Sequence, residues 1–181
     1  TGLAAGDYAV TVYDAVGCSE VGSVTVSEPD PLTLEWAAEN NDCFGGNDAA
    51  LDAIAAGGTP GYTFSWANGR TGDRIEGLTA GNYGLTVTDA NGCRTTTTTS
   101  VGQPDSLVAE ITAQDVRCAG DRDGRIRIQT DGGTPPYLYS LNNQEFNGVS
   151  TIIGLSAGDY TVRIRDARGC IYTKAVSIGE P

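Results

Sequence analysis

The sequence predicts an all-β protein made of tandem antiparallel β-sandwiches arranged end to end. Three observations lead to this prediction: apolar residues alternate with polar ones over short segments, turn-forming residues separate those segments, and the order of segments repeats along the chain. The 181 residues include 25 Gly and 7 Pro. No window holds an apolar stripe at helical spacing over more than about two turns.

Three motifs return at nearly constant spacing, with offsets of 75 and 77 residues. Gly-Leu-x-Ala-Gly-x-Tyr, with Ala, Thr or Ser at its third position, occupies residues 2–8, 77–83 and 154–160, Asp-Ala-x-Gly-Cys occupies 14–18, 89–93 and 166–170, and Gly-Gly-Thr-Pro occupies 57–60 and 132–135. We divide the chain into a C-terminal fragment of a preceding repeat (1–30) and two complete repeats (31–105 and 106–181). Because it starts at Thr1 without an initiator Met, we expect it to be an internal piece of a longer protein.

Alternation is clearest in the segment that begins at each motif tyrosine. Apolar side chains stand at i, i+2 and i+4, as expected of a half-buried strand: Tyr8, Val10 and Val12, then Tyr83, Leu85 and Val87, then Tyr160, Val162 and Ile164. The segments 32–36, 62–66 and 126–128 alternate in the same way. About six or seven short strands per repeat indicate an immunoglobulin-like or fibronectin III-like sandwich.

Two of the motifs have structural interpretations. The tyrosines Tyr8, Tyr83 and Tyr160 resemble a tyrosine corner, in which the hydroxyl bonds to nearby backbone, so we expect a structural role for them. In Asp-Ala-x-Gly-Cys, the Asp can accept backbone N–H bonds while Gly takes a positive φ. We therefore predict a hairpin bend at this motif and not a catalytic carboxylate.

The cysteines predict disulfides and an oxidising, extracytoplasmic location. The chain has five Cys and no His, which excludes mixed Cys and His zinc sites, and no Cys-x-x-Cys pair is present. We expect pairing within repeats, Cys43 with Cys93 and Cys118 with Cys170, and a partner for Cys18 outside this chain. The competing pairs, Cys18 with Cys43 and Cys93 with Cys118, would cross a repeat boundary and place two strands end to end between the sulfurs.

On Gly-Gly-Thr-Pro-x-Tyr, Gly-Leu-x-Ala-Gly-x-Tyr and Asp-Ala-x-Gly-Cys at fixed spacing, the chain resembles the SprB-repeat family of very large surface adhesins of gliding and other Bacteroidetes. The resemblance covers both full repeats and the leading fragment. It implies type IX secretion and display on the outer cell surface as a long filament that serves adhesion, gliding or prey capture. One departure concerns Trp66, whose counterpart is Leu141, which argues against a binding role that needs this Trp in every repeat.

The residues offer little for catalysis or metal binding, and we expect neither an enzyme nor a cofactor. Without His, no Ser-His-Asp or Cys-His arrangement is possible, and Lys174 is the one lysine. Asp121 and Asp123 alternate as in a calcium loop but lack its further acids and closing Glu. We favour a solvated turn there, with calcium as the alternative.

Several surface features suggest partners. The net charge of -12 argues against nucleic acid, and no apolar run is long enough to span a membrane. Ser106 lies in an Asp-Ser-Leu sequence that is a candidate O-glycosylation site. Arg125, Arg127, Arg163 and Arg165 are predicted to point outward, either as a solvated face or toward an acidic neighbour in a lateral homo-oligomer or filament bundle.

Three functions follow as hypotheses: spacer repeats of a surface adhesin or filament, a carbohydrate-binding accessory module of a secreted enzyme, and a self-assembling fibre subunit. The first is favoured because most aromatic residues fall on the core parity of their strands, whereas a glycan platform needs exposed aromatics. Its expected partners are the neighbouring repeats of the same chain, with surface glycans or other cells as further candidates.

Overall fold

A computed structural model describes residues 2–181, and within that range the chain forms fourteen strands and no helix. The strands are β1 (Gly6–Tyr13), β2 (Ser19–Val26), β3 (Thr33–Glu39), β4 (Ala49–Ala56), β5 (Thr63–Trp66), β6 (Arg74–Leu78), β7 (Gly81–Thr88), β8 (Arg94–Val101), β9 (Val108–Gln114), β10 (Gly124–Asp131), β11 (Leu138–Leu141), β12 (Thr151–Leu155), β13 (Gly158–Arg165) and β14 (Ile171–Ile178). They are short because Gly, Pro and Asx turns interrupt the alternating pattern every few residues.

The strands form two sandwiches with the same topology. β3 to β8 make two three-stranded sheets in the orders β3-β4-β6 and β5-β7-β8, and β9 to β14 make the equivalent sheets β9-β10-β12 and β11-β13-β14. Neighbouring strands pair antiparallel in all four sheets. The prediction of tandem antiparallel β-sandwiches is therefore confirmed. We call residues 31–105 the first unit and residues 106–181 the second unit.

Each unit has its own hydrophobic core between its two sheets. The cores are centred on Leu51, Trp66, Leu85 and Val87 in the first unit and on Ile126, Leu141, Val162 and Ile164 in the second. Alternation predicted Trp66, Leu85, Val87, Ile126, Val162 and Ile164 on the inward face, but it did not find Leu51, and Trp36 of the 32–36 segment is 43% exposed. Trp66 is 2% exposed and Leu141 is 8% exposed. The Trp-to-Leu difference between the repeats is thus a difference in core packing.

β1 and β2 form a hairpin that matches one hairpin in each unit. In each of the three hairpins all eight residues of the first strand are paired with the second strand. The first strands are Gly6 to Tyr13 in β1–β2, Gly81 to Thr88 in β7–β8 and Gly158 to Arg165 in β13–β14. Val10 and Val12 are 57% and 64% exposed, whereas their counterparts Leu85 and Val87 are 2% and 0% exposed. This leading hairpin has the geometry of the two unit hairpins without the opposing sheet.

Antiparallel pairing gives each unit two distinct ends. The hairpin end holds the Asp-Ala-x-Gly-Cys turn between β7 and β8 in the first unit, or between β13 and β14 in the second. The loop end holds the cysteine loop that follows the first strand, residues 40–48 or 115–123, together with the end of the last strand. β8 and β14 run from the hairpin end to the loop end of their units, because Gly102 and Gly179, just beyond these strands, bond to the loop.

Candidate functional site at the junction between repeats

One buried aspartate holds the hairpin end of each unit. Asp89, 5% exposed, accepts hydrogen bonds from the backbone N–H groups of Asn91 and Cys93 through Oδ1, at 3.0 and 2.8 Å, and from that of Thr59 through Oδ2, at 2.9 Å. Equivalent bonds run to Asp166 from the N–H groups of Arg168, Cys170 and Thr134, at 2.9, 2.9 and 2.8 Å. The aspartate therefore fixes the turn that carries the cysteine.

The same donors favour the ionised carboxylate. The N–H of Thr59 makes the largest contribution to lowering the pKa of Asp89, and the N–H groups of Cys93 and Asn91 add to it, whereas burial opposes the shift. In the leading hairpin, the N–H of Cys18 is the main cause of the lowered pKa of Asp14. A carboxylate held by backbone donors in this way is a turn-stabilising acceptor.

The Gly-Gly-Thr-Pro turn brings the inter-repeat segment against the hairpin end. Gly57 and Gly58 have φ values of 72° and 59°. A Cβ atom on Gly57 would lie 2.0 Å from the Pro31 carbonyl oxygen, and one on Gly58 would lie 2.7 Å from Asp89 Oδ2. Gly132 and Gly133 make the same close approaches, at 2.1 and 2.8 Å, to Ser106 and Asp166. Only glycine fits at these positions, because both the backbone conformation and the space exclude a side chain.

The loop end is fixed by hydrogen bonds between the cysteine loop and the last residues of the unit, with one further bond inside the loop. In the first unit the Gly102 N–H donates to Asn40 Oδ1 at 2.8 Å, and the Asn41 N–H donates to the Gly102 carbonyl at 3.1 Å. The Gly45 N–H donates to Gln103 Oε1 at 2.8 Å, and within the loop the Asp42 N–H donates to Asp48 Oδ2 at 3.1 Å. In the second unit the Gly179 N–H donates to Asp115 Oδ1 at 2.6 Å, and the Val116 N–H donates to the Gly179 carbonyl at 3.2 Å. The Gly120 N–H donates to Glu180 Oε2 at 3.3 Å, and within the loop the Arg117 N–H donates to Asp123 Oδ1 at 3.1 Å. Cys43 and Cys118 therefore sit on loops of the same construction.

A disulfide joins the loop end of the first unit to the hairpin end of the second. Cys43 is bonded to Cys170, with their Cα atoms 5.7 Å apart and a sequence separation of 127. Beside it, the Arg168 guanidinium lies 2.6 Å from an Asp42 carboxylate oxygen. An open cleft of about 650 Å³ borders this contact, lined by both units. The junction is thus closed by one covalent bond and one ion pair.

The within-repeat pairing of Cys43 with Cys93 and of Cys118 with Cys170 is wrong. Cys43 lies at the loop end of the first unit and Cys93 at its hairpin end, so the length of an eight-residue strand, about 25 Å, separates them. The same separation holds between Cys118 and Cys170 in the second unit. A disulfide needs Cα atoms within about 7 Å. Among residues 2–181, Cys18, Cys93 and Cys118 form no disulfide, and all three are exposed.

The candidate calcium ligands lie on the cysteine loop of the second unit. Asp123 accepts the Arg117 N–H, and its other oxygen lies 3.4 Å from the Arg117 guanidinium. Asp121 is exposed on the same loop, where its N–H donates to the Cys118 carbonyl at 3.1 Å. Within residues 2–181 no group of three or more His, Cys, Asp or Glu side chains is placed to hold a metal ion. Asp123, like Asp48, closes the cysteine loop.

The side chains of the remaining predicted residues take no part in the disulfide or its ion pair. The hydroxyls of Tyr8, Tyr83 and Tyr160 donate to the carbonyls of Ala4, Thr79 and Ser156, at 2.9, 2.8 and 2.9 Å. Ser106 is exposed between β8 and β9. Arg125 donates to Gln114, and Arg163 and Arg165 lie over the Phe146 ring at 5.5 and 4.5 Å. These contacts engage the arginines on the surface of the second unit.

Sequence reasoning missed two features of the junction. It did not connect Gly-Gly-Thr-Pro to the Asp of the hairpin, although both recur together in each unit. It also did not consider a bond from one unit to the hairpin of the next. The available indication was the direction of the strands, because Cys43 follows a strand that leaves the hairpin end and Cys93 follows one that returns to it.

Solved structures with a similar chain course contain tandem immunoglobulin domains or a bacterial adhesin. The N-terminal eight immunoglobulin domains of Down syndrome cell adhesion molecule match 97% of this chain at 17% identity with a TM-score of 0.46, and the chain spans 28% of that structure. A C-terminal 282-residue fragment of intimin, solved with the intimin-binding domain of its translocated receptor, matches 82% at 12% identity with a TM-score of 0.43, and the chain spans 64% of it. The human desmocollin-1 ectodomain matches 91% at 14% identity with a TM-score of 0.35, and the chain spans 40% of it. The all-β class itself follows from the strands and sheets of this chain.

No curated protein matches the chain. The part of the chain that the structure describes holds no helix with the length and hydrophobicity needed to cross a bilayer. A family model for the SprB repeat matches residues 37–71 and 111–146, one segment in each unit. Each matched segment includes the cysteine loop and the Gly-Gly-Thr-Pro turn. The chain therefore contains two SprB repeats, one in each unit, and the resemblance seen in the sequence is confirmed for these segments.

Proposed function

We propose that the two units are spacer repeats of a secreted surface adhesin or extracellular filament, and that they transmit tension while holding more distal parts away from the cell. The observation that carries this proposal is the junction. The first unit is bonded to the second through Cys43–Cys170, and the glycine turn of the second unit seats the connecting segment against the same end. A joint fixed in this way suits a rigid spacer better than a flexible linker.

The disulfide also supports an extracellular location, since such bonds persist in oxidising compartments. In this proposal the chain is displayed on the outer cell surface and has no catalytic role. Its first partners are the neighbouring repeats, which dock hairpin end to loop end. Type IX secretion and a role in gliding or prey capture remain proposals implied by the family.

A glycan-binding module is less well supported. Such a module needs aromatic rings exposed as a platform, but the repeated aromatic positions lie in the cores. Tyr139 is 8% exposed, and its counterpart Phe64 is partly buried against the core of the first unit. Trp36 and Phe44 are 43% and 57% exposed, but their counterparts in the second unit are Ile111 and Ala119. A binding surface built on them would not recur along the chain.

Small-angle scattering of the oxidised chain tests the spacer proposal. Two units of about 40 Å each and the leading hairpin predict a maximum dimension of roughly 100–120 Å. A dimension near 50 Å, expected for one globule of this length, would reject it. The control is Cys43→Ser, which removes the disulfide and keeps the connecting segment, and so separates their contributions to the maximum dimension. Binding of an antibody against residues 31–181 to unpermeabilised cells tests the location, and binding only after lysis would refute surface display.

A further inference from the structure

The chain contains one closed junction and two unpaired halves of the same junction within its units, at Cys93 and Cys118, while Cys18 is a further hairpin-end cysteine in the leading hairpin. Cys93 lies at the hairpin end of the first unit, as Cys170 does in the second, and Cys118 lies at the loop end of the second unit, as Cys43 does in the first. We infer that in a run of such repeats each loop-end cysteine is bonded to the hairpin-end cysteine of the next repeat. Successive repeats would then form a disulfide ladder. This inference rests on the junction geometry and does not require an adhesive role.

Both unpaired halves are already built in the bonded conformation. The Cys118 loop makes the same four hydrogen bonds as the Cys43 loop. The Cys93 turn is held by Asp89 through the same three N–H bonds that hold the Cys170 turn. Neither half therefore depends on the disulfide for its shape. A neighbouring repeat that docks as the second unit docks on the first would meet a cysteine in position.

Each bond can form by thiol–disulfide exchange. The thiolate of the loop-end cysteine attacks a small-molecule disulfide such as oxidised glutathione, forms a mixed disulfide and releases one thiolate. The thiolate of the hairpin-end cysteine then attacks the protein sulfur of that mixed disulfide and releases the second thiolate. Two protein thiols lose two electrons and two protons, and the oxidant is reduced to two thiols.

The ladder would change how tension passes along the chain. The Cys43–Cys170 loop encloses Cys118, where the next bond would start, so consecutive disulfide loops overlap. Between one bond and the next the covalent path uses only the 25 residues from Cys93 to Cys118, which run down β8, across the joint and down β9. At about 3.4 Å per residue this segment reaches roughly 85 Å, close to the length of two folded units at about 40 Å each. The path is therefore almost fully extended before any unit unfolds.

Because each such segment spans two units and the segments are staggered by one unit, two covalent paths would cross every repeat. Force applied along the filament would pass through disulfides and edge strands, and the enclosed sheets would be bypassed. One broken peptide bond would leave the second path intact. The filament would thus resist both extension and cleavage at a single site.

A tandem chain tests the bond at a new junction. Appending a second copy of residues 105–181 after Pro181 reproduces the Pro-Asp-Ser-Leu joint and adds two cysteines. After equilibration with oxidised and reduced glutathione, the ladder predicts that the free thiols stay at the three of the parent chain, with Cys118 linked to Cys170 of the added copy by non-reducing peptide mapping. Five free thiols with Cys43–Cys170 intact would overturn the ladder, and would leave the spacer proposal to the scattering experiment.

The matched control is Cys118→Ser in the first copy, which should leave the added Cys170 free and raise the thiol count to four. Peptide mapping of the protein from its producing cells gives an answer that does not depend on the folding of the tandem chain. Recovery of Cys118 joined to the hairpin peptide of a following repeat supports the inference. Recovery of Cys118 as a free thiol, or joined to Cys93, contradicts it.

Single-molecule stretching tests the bypass. Pulling the 181-residue chain by its ends under reducing conditions should release the 127-residue separation between Cys43 and Cys170, a contour gain of roughly 400–450 Å at about 3.3–3.6 Å per residue. In the oxidised chain that gain should disappear, and Cys43→Ser should restore it without reductant. Equal gains in the oxidised and reduced chains would refute the bypass.

Discussion

Loss of the Cys43–Cys170 bond should separate the unfolding of the two units. When both units are unfolded the bond closes a loop of 127 residues, which the chain-entropy model equates with about 5 kcal/mol of stabilisation. When only one unit is unfolded, the folded partner anchors the other side of the bond and the closed loop has about 65 residues. The same model then gives about 4 kcal/mol.

The stabilisation against unfolding both units together is therefore about 3 kcal/mol smaller than the sum of the stabilisations against unfolding each unit alone. States with a single unfolded unit are disfavoured by that amount in the oxidised chain, so residues 31–181 should melt in one cooperative transition. Cys43→Ser should give two transitions, with midpoints lower by on the order of 15 °C or more, as expected for units of this size.

Differential scanning calorimetry distinguishes these cases, because the ratio of calorimetric to van't Hoff enthalpy is near one for a cooperative pair and near two for independent units. Arg168→Ala is the matched control: it removes the exposed ion pair with Asp42, worth about 1 kcal/mol or less, and should leave the single transition. If Cys43→Ser melts as the oxidised parent does, with an unchanged midpoint, the coupling argument fails.

Three further predictions concern the elements that build each unit. Asp89 has a lowered pKa in the folded state, so its contribution to the unfolding free energy is present above the ordinary Asp pKa and is lost as pH falls toward the folded-state value. In urea titrations at pH 7 and pH 3, the Asp89→Asn variant should therefore lose less unfolding free energy on acidification than the parent chain. An equal loss in the two proteins would contradict this. Gly132→Ala should destabilise the second unit by more than about 2 kcal/mol, because its Cβ would lie 2.1 Å from the Ser106 carbonyl oxygen at a φ of 67°. Gly148→Ala, whose Cβ meets nothing within 4 Å, should be close to silent in the same urea assay, and equal effects would refute the steric reasoning. Tyr160→Phe should lower the unfolding free energy by about 0.5–1.5 kcal/mol, because it removes the hydrogen bond to the Ser156 carbonyl. An unchanged unfolding free energy on chemical denaturation would show that this bond does not stabilise the unit.

The sequence predicted the strands and hairpins because both depend on nearby residues. Alternation placed Leu85 and Val87 in the core, and the spacing in Asp-Ala-x-Gly-Cys is enough to make a bend, since the Asp bonds to groups two and four residues later. The acidic residues of the cysteine loop were harder to interpret. Asp121 and Asp123 alternate like calcium ligands in the sequence, yet Asp123 accepts an N–H from within the loop, as Asp48 does in the first unit.

The disulfide could not be predicted from spacing alone. It depends on which end of a unit each cysteine occupies, and on how one unit is rotated relative to the next. The first condition is fixed by the number of times the chain crosses the unit between Cys43 and Cys93. β4 returns to the hairpin end, β5 and β6 together lead back to the loop end, and β7 returns again, so an odd number of crossings puts the two cysteines at opposite ends. The second condition is set by packing at the joint, which no local motif encodes.

The junction combines one interaction that recurs in both units with one that does not. The cysteines, the aspartates that hold their turns and the glycines beneath them occupy equivalent positions in each unit, so the covalent bond can form between any two neighbours that dock in this way. The ion pair is different, because Arg168 corresponds to Asn91 and Asp42 corresponds to Arg117. A repeat presenting Arg at the Arg168 position would bring two guanidinium groups together at the loop end of the second unit, which costs free energy instead of stabilising the joint. In the proposed ladder the disulfide can therefore recur at every joint, whereas the ion pair depends on which residues two neighbouring repeats present at these positions.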